Sequence, residues 1–471
     1  METILSVFSG IFNNLLSKPQ YFMALLVFIG YLLLRKSFLE SVGGALKAAI
    51  GYMILQVGSS GMVKGFTPLL NGLISKFGLT AAVVDSNIGF AAANAAIESI
   101  GMSLSSTMMV LLIGFIVNIL LVMVRKVSKV RTIFTTGHIM VKQAGFITWL
   151  VFFSLPQFRN TVGVVIIGIL IGLYWAVFSN LTVEATQRLT DGKRFFAIGH
   201  SQMLAVWFAD LFAPKLGNKE DSIDNIKLPK SLSLLSDNII GTSVVMLVMF
   251  GVFLSLIGSE TMMLFDEAGM AGTPYFLYIV TTALSFTVNF VILQTGVKML
   301  VGEISASFEG ISDRLIKGSV PAVDCAASFG FAHSNTILVG FIMGLFGQIL
   351  AIAGLVIFQS PILMITGFVP VFFDNATIAV FANNRGGRKA AIILPFISGI
   401  LQIVLAAVGV MAFGLQDFGG WYGNLDVSTV WIAISGLIKT FAIPGVIIAV
   451  VAMLAIPQIH YYYNKENYFN N

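Results

Sequence analysis

The sequence predicts an all-α protein that crosses a membrane many times. Three observations carry that expectation. Of the 471 residues, 57% are hydrophobic and only 10% charged, with mean hydropathy +0.92, whereas a soluble domain carries about 25% charged residues. Eight apolar runs approach or exceed the roughly 20 residues that span a bilayer: 21–34, 105–124, 161–181, 239–257, 274–294, 336–358, 390–413 and 430–456. The charges fall in short clusters between these runs, as in the loops of a polytopic membrane protein.

Between the strong runs lie four weaker segments, 43–62, 134–155, 320–334 and 367–383, apolar but interrupted by Gly, Ser and Thr. Non-helical backbone at membrane depth survives only where protein or a cavity covers it. Interrupted segments also point to a transporter's binding site. These four are therefore expected to be re-entrant or broken helices. The clusters Arg35-Lys36, Arg125/Lys126/Lys129/Arg131 and Arg385/Arg388/Lys389 are expected on the cytoplasmic side by the positive-inside rule. That places the N-terminus outside and the polar tail inside. The longest polar stretch, 192–237, contains Trp207, Phe208 and Phe212 and reads as an amphipathic interfacial linker. Residues 1–16 lack the basic start of a signal peptide, so the first apolar segments are expected to remain in the mature protein.

Composition also excludes function classes. A formal charge of +5 over this length is too small for a nucleic-acid footprint. A single cysteine, Cys325, allows neither an internal disulfide nor a multi-cysteine metal centre. The chain has no Walker loop, dinucleotide fingerprint or His-Glu-x-x-His motif. No cofactor, metal or enzymatic role is expected, and the chain reads as a transporter.

Two short motifs recur at nearly one offset. Ile54-Leu55-Gln56-Val57-Gly58 returns as Ile292-Leu293-Gln294-Thr295-Gly296, and Val84-Asp85 returns as Val323-Asp324. Each copy of the first is followed by a lysine, Lys64 or Lys298. Such recurrence fits the internal repeats of transporters, whose substrate sites lie at the repeat interface. The expected layout is one permease domain over 1–471. A first repeat covers about 1–190 and a linker 192–237; a second repeat covers about 239–456, and the tail is 457–471.

An ionisable side chain in an apolar run is a functional candidate because burying it costs a few kcal/mol. Asp324 stands among Ala, Val, Phe, Gly and Ser, and it reads either as substrate-facing or as a capping carboxylate. Asp85, followed by Ser86 and Asn87, also reads as a helix N-cap. His138 follows Gly137, and Lys142 one helical turn later shares its face; with Gln143 they could orient a polyhydroxylated anion. His200 repeats the Gly-His pairing, while His333 has no supporting cluster and reads as structural.

At these residues the chain resembles a known family. The blocks are 30–37 (Gly-Tyr-Leu-Leu-Leu-Arg-Lys-Ser), 131–145 with Thr-Gly-His-Ile-Met, Ile198-Gly199-His200, Val323-Asp324-Cys325-Ala326-Ala327, and 375–383 with Ala-Thr-Ile-Ala-Val-Phe-Ala-Asn. In that order they resemble, end to end, the IIC permease of the bacterial phosphoenolpyruvate-dependent phosphotransferase system specific for L-ascorbate, in the ascorbate and galactitol IIC superfamily. The resemblance implies about eleven transmembrane helices plus re-entrant or broken helices in two inverted repeats. It also implies a mobile core domain, a scaffold domain pairing into a homodimer, and elevator-like transport in the inner membrane, surrounded by membrane lipid. The implied partners are L-ascorbate or a related sugar acid and the IIA and IIB components, with a IIB cysteine passing the phosphoryl group. The implied substrate-binding positions are Ser86, Asn87, His138, Ile139, Met140, Val141, Lys142, His200, Ser201 and Asp324. Relatives carry an aromatic residue at Asn87 and glutamine at Lys142 and Ser201. These departures bear on which sugar acid is bound, since hydrogen-bonding sites discriminate by their unpaired groups. The rival reading is an ion-coupled secondary transporter of a small organic anion, which would deliver its substrate unmodified; a membrane enzyme or channel is the third.

Overall fold

The fold is known from a computed structural model that describes residues 18–78, 80–192, 196–225, 237–315, 318–465 and 468–469. The stretch read for a signal peptide and part of the 192–237 linker lie outside them. Among the described residues, eight helices are long and apolar enough to cross a membrane, and two shorter apolar helices, Met23–Leu33 and Val427–Phe441, accompany them. The protein is an all-α polytopic membrane protein. Its helices keep apolar residues outward as well as inward: Leu39, Val57, Val288 and Val451 are exposed, as lipid contact requires.

In the first half, α1 (Pro19–Leu33) and α2 (Phe38–Phe77) precede strand β1 (Thr80–Val84) and α3 (Ser86–Ser99). Then come α4 (Ser105–Met123), β2 (Thr132–Phe134), α5 (Gly137–Ser154), α6 (Thr161–Leu181), β3 (Ala197–Ile198) and α7 (Met203–Leu216). The second half begins with α8 (Asn238–Ile257) and α9 (Tyr275–Leu315), followed by β4 (Val320–Val323) and α10 (Ser334–Ile357). It ends with β5 (Ile362–Thr366), α11 (Asn375–Ala412), β6 (Gly420–Trp421), α12 (Ile432–Phe441) and α13 (Ile443–Tyr463).

The six strands among the described residues form two parallel three-stranded sheets, ordered β5-β1-β6 and β2-β4-β3. Each sheet takes its central strand from one half of the chain and both outer strands from the other. These short strands satisfy across a sheet the backbone groups that a bilayer cannot hydrate. Each central strand ends on a Val-Asp pair, and each aspartate caps the following turn: Asp85 accepts from the Asn87 amide at 2.9 Å and Asp324 from the Ala326 amide at 2.8 Å.

Three expectations need correction. Segment 43–62 is not broken: it lies inside α2, a 40-residue helix. Its glycines serve close packing on α9. A Cβ at Gly58 would stand 2.4 Å from the Leu293 amide nitrogen, and one at Gly296 2.2 Å from that of Leu55. The two copies of the Ile-Leu-Gln-x-Gly motif thus receive each other's backbone reciprocally, as small residues allow in membrane helix pairs. Segment 134–155 is likewise one continuous helix, α5, after a short strand. Segment 320–334 does interrupt helical structure, with a strand and a 3-10 turn, whereas 367–383 is helical from residue 368 and is distorted by a π-turn at Pro370–Asp374 that runs directly into α11.

Several of the basic loop residues are paired. Arg131 pairs with Glu184 at 2.8 Å, and Arg188 and Arg385 both pair with Asp210. Arg125 reaches the Gly318 carbonyl at 2.8 Å. Helix α7 carries the Trp207, Phe208 and Phe212 of the linker, with the two phenylalanines stacked at 4.2 Å.

Candidate functional site

Three neighbouring strands deliver the three strongest candidates. Asp324 follows the central strand β4, while His138 and His200 follow its flanking strands β2 and β3. All three therefore sit beyond the carboxyl ends of one parallel sheet, where such sheets open a crevice. Gly199 makes this possible: its amide donates to the Val323 carbonyl at 2.7 Å, and a Cβ there would lie 2.4 Å from the Ala322 carbonyl oxygen. His138 Nε2 and Asp324 Oδ2 are 2.9 Å apart, and the two imidazole rings meet edge-on at 6.4 Å. His200 Nδ1 contacts Gln202 Oε1, and the Gln202 amide nitrogen donates to Thr377 Oγ1 at 3.4 Å.

The second sheet supplies the other side. Asp85 ends β1 and accepts from the Val369 amide at 3.1 Å. Thr366, the last residue of β5, is in register with Val84. Gly367 packs its backbone against Asp85, where a Cβ would stand 2.4 Å from the Asp85 Cβ. Lys142 is within electrostatic reach of both Asp85 and Asp324. It is buried and, among the described residues, salt-bridged to neither.

The site therefore has a rim and an inner end. The side chains of His138 and Asp324 are 27% and 33% exposed. Asp85, Ser86, Asn87, Lys142 and His200 are buried. Among the described residues, the Ser86 hydroxyl, both polar atoms of the Asn87 amide, and the Thr136 and Thr366 hydroxyls are buried without a hydrogen-bond partner. A buried polar group left unpaired costs about 1–3 kcal/mol, so these groups are available to hydrogen-bond a ligand. An ammonium, two imidazoles, two carboxylates and several free hydroxyl or amide groups can together hold a small polyhydroxylated anion.

Not every expected position turns a side chain to this place. Ile139, Met140 and Val141 pack in the core, and their helix presents His138 and Lys142 instead. Ser201 stands in a buried chain: Gln143 donates to its hydroxyl at 2.9 Å, and that hydroxyl reaches the Tyr422 oxygen at 3.3 Å. Gln143 is further held by the Trp175 indole at 2.5 Å, so both side chains support the site from behind. His333 caps α10 by accepting from the Asn335 amide at 3.1 Å, in keeping with a structural role.

Sequence reasoning missed Thr136, Thr366 and Gln202, which carry no signal in an apolar chain rich in small polar residues. It also passed over two buried acids that the rule applied to Asp324 would have found. Asp426 accepts from Tyr174 at 2.9 Å and from the Met203 amide at 2.8 Å. Asp374 accepts from Asn424 at 2.5 Å and the Leu425 amide at 2.9 Å. Both fix helix starts beside the site.

Residues 14–432 match the family described as the sugar-specific permease component of the phosphotransferase system. A curated relative, the ascorbate-specific phosphotransferase-system EIIC component of Mycoplasma pneumoniae, is 31% identical over 447 residues, covering 87% of this chain and 67% of that protein.

Proposed function

The chain belongs to the sugar-specific permease components of the phosphotransferase system, and from that membership we propose that it carries L-ascorbate, or a closely related sugar acid, across the bacterial inner membrane. The family makes it a multi-pass membrane permease subunit with a sugar substrate and with IIA and IIB components as partners. The observation that carries the choice of an acidic sugar is Lys142, a buried ammonium without a salt-bridge partner among the described residues. Ascorbate is a monoanion at neutral pH. Two unit charges 4 Å apart attract by about 4 kcal/mol at an effective dielectric of 20, less the cost of desolvating both. His138, His200 and Asp324 would then take the sugar hydroxyls, and Ser86, Asn87, Thr136 and Thr366 the remaining oxygens.

Movement is proposed to be elevator-like, with the two sheets and their aspartates travelling as a core against a scaffold built on α2 and α9. Supporting this are the reciprocal contacts of Gly58 with Leu293 and of Gly296 with Leu55. They interchange under the same offset that relates the two motifs, as an inverted repeat would require. The sheet orders interchange in the same way, β1 for β4 and the flanking pairs for each other. Pairing of two scaffolds into a homodimer belongs to the same proposal.

Coupling is tested in vesicles. The purified chain alone should accumulate no phosphorylated sugar. Addition of the cognate IIA and IIB with the general phosphotransfer proteins should yield ascorbate 6-phosphate inside. Ascorbate accumulating unmodified on an ion gradient would replace this reading with that of a symporter.

Lys142→Gln provides a second test. Binding of ascorbate should weaken about tenfold, the equivalent of about 1.4 kcal/mol, with loss of preference over a neutral sugar alcohol. Thermal stability should be unchanged or raised, because no salt bridge is broken. A drop in stability with unaltered ascorbate affinity would instead make Lys142 a counter-charge for the aspartates.

A further inference from the structure

The two rim residues and the buried His200 beside them have a property that sugar binding does not use. His138, His200 and Asp324 each offer one ligand atom, and these atoms all lie within 4.8 Å of one another. We propose that they form a two-histidine, one-carboxylate site for a transition-metal dication of the zinc type, and that its occupation excludes the sugar.

The donor set selects the metal. Imidazole nitrogen suits Zn²⁺, Cu²⁺ and Ni²⁺, and three protein ligands leave an open position. Mg²⁺ and Ca²⁺ demand oxygen ligands and find one carboxylate here. The widest ligand separation, within 4.8 Å, exceeds that of a closed tetrahedral site by on the order of 1 Å, given metal–nitrogen bonds of about 2.0 Å, while His138 and Asp324 already stand 2.9 Å apart. The part-exposed His138 and Asp324 side chains are the ones free to close that gap.

The surroundings already orient His200. The Gln202 amide nitrogen points at Thr377, so its oxygen faces His200 Nδ1. That oxygen can only accept, so the ring proton sits on Nδ1 and the Nε2 lone pair is left for the cluster. This is how ligating histidines are commonly held, by a partner on the other ring nitrogen. His138 shares its Nε2 proton with Asp324 in the metal-free arrangement, and coordination through Nε2 moves that proton to Nδ1. Asp324 accepts from the Ala326 amide through its other oxygen, which orients the carboxylate.

Lys142 acts in opposite senses on the two ligands. Its charge lies within reach of Asp324, attracting an anionic sugar and repelling a dication. Removing that charge should weaken one and strengthen the other, a pair of effects that general damage to the site cannot produce.

The test uses the purified full-length chain and Co²⁺ as a visible probe, without sugar. Titration should develop a saturable d–d absorption with one ion bound per chain, displaced by Zn²⁺. His200→Ala should remove it, and Gln202→Ala, which spares all three ligands, should weaken binding about tenfold. Lys142→Gln should tighten binding several-fold. A wild-type spectrum no different from free aqueous Co²⁺, or equal binding by His200→Ala, would overturn the site. The exclusion rests on the proposed transport site, so it is read separately, as a rise in the apparent Kd for labelled ascorbate with Zn²⁺. Metal binding without that rise overturns the exclusion alone. Ascorbate binding by a protein that takes no Co²⁺ overturns the metal site and leaves the transport reading standing.

Discussion

Asp324→Asn should reduce ascorbate uptake by at least tenfold while the protein still reaches the membrane in normal amount. The substitution keeps the shape and an acceptor oxygen for the Ala326 amide, which now lies 2.8 Å from the carboxylate, so the turn after β4 stays capped. It removes the charge that His138 Nε2 meets at 2.9 Å. Hydrogen bonds to a charged group contribute about 1.5–3 kcal/mol, equivalent to a factor of ten or more in binding. Uptake and surface expression are measured in the same cells. Wild-type uptake by the variant would remove Asp324 from the site.

A second large effect is expected in the seam between α2 and α9. Gly58→Ala places a methyl group 2.4 Å from the Leu293 amide nitrogen, and Gly296→Ala places one 2.2 Å from that of Leu55. Both neighbours are backbone, so the helices must separate. Overpacking of this kind costs about 1–3 kcal/mol, and each variant should lose thermal stability in detergent. Gly43→Ala on the same helix α2 is the control, since a Cβ there would meet nothing within 4 Å and alanine is the better helix former by about 1 kcal/mol. Gly58→Ala melting with the wild type would show that the seam opens freely, and the two motifs would lose their role as a packed pair.

The same glycines show where sequence reading stops. Glycine, serine and threonine in an apolar run are compatible with a broken helix and with a close helix–helix contact. In 43–62 they serve contact, and in 320–334 they accompany a genuine interruption. Local sequence does not separate the two, because the distinction depends on what approaches from elsewhere in the chain. Lys142 is a similar case. Its position one turn after His138 was legible from the helical period, but its freedom from a salt bridge depends on where Asp85 and Asp324 come to rest. Ser201 shows the converse: placed at the site by resemblance, it is held in a chain between Gln143 and Tyr422.

By itself the sequence determined the membrane class, the family and the aspartates that close the two Val-Asp motifs. Each follows from local chemistry: apolar length, ordered blocks of motif, and the cost of a carboxylate in an apolar run. Only the tertiary structure decided that His138, His200 and Asp324 meet, and that Thr136, Thr366 and Gln202 stand beside or behind them. The reason is pairing at long range. Residues 132–134, 197–198 and 320–323 become neighbours by parallel strand register, and the carboxyl ends of those strands bring together side chains that no local periodicity relates.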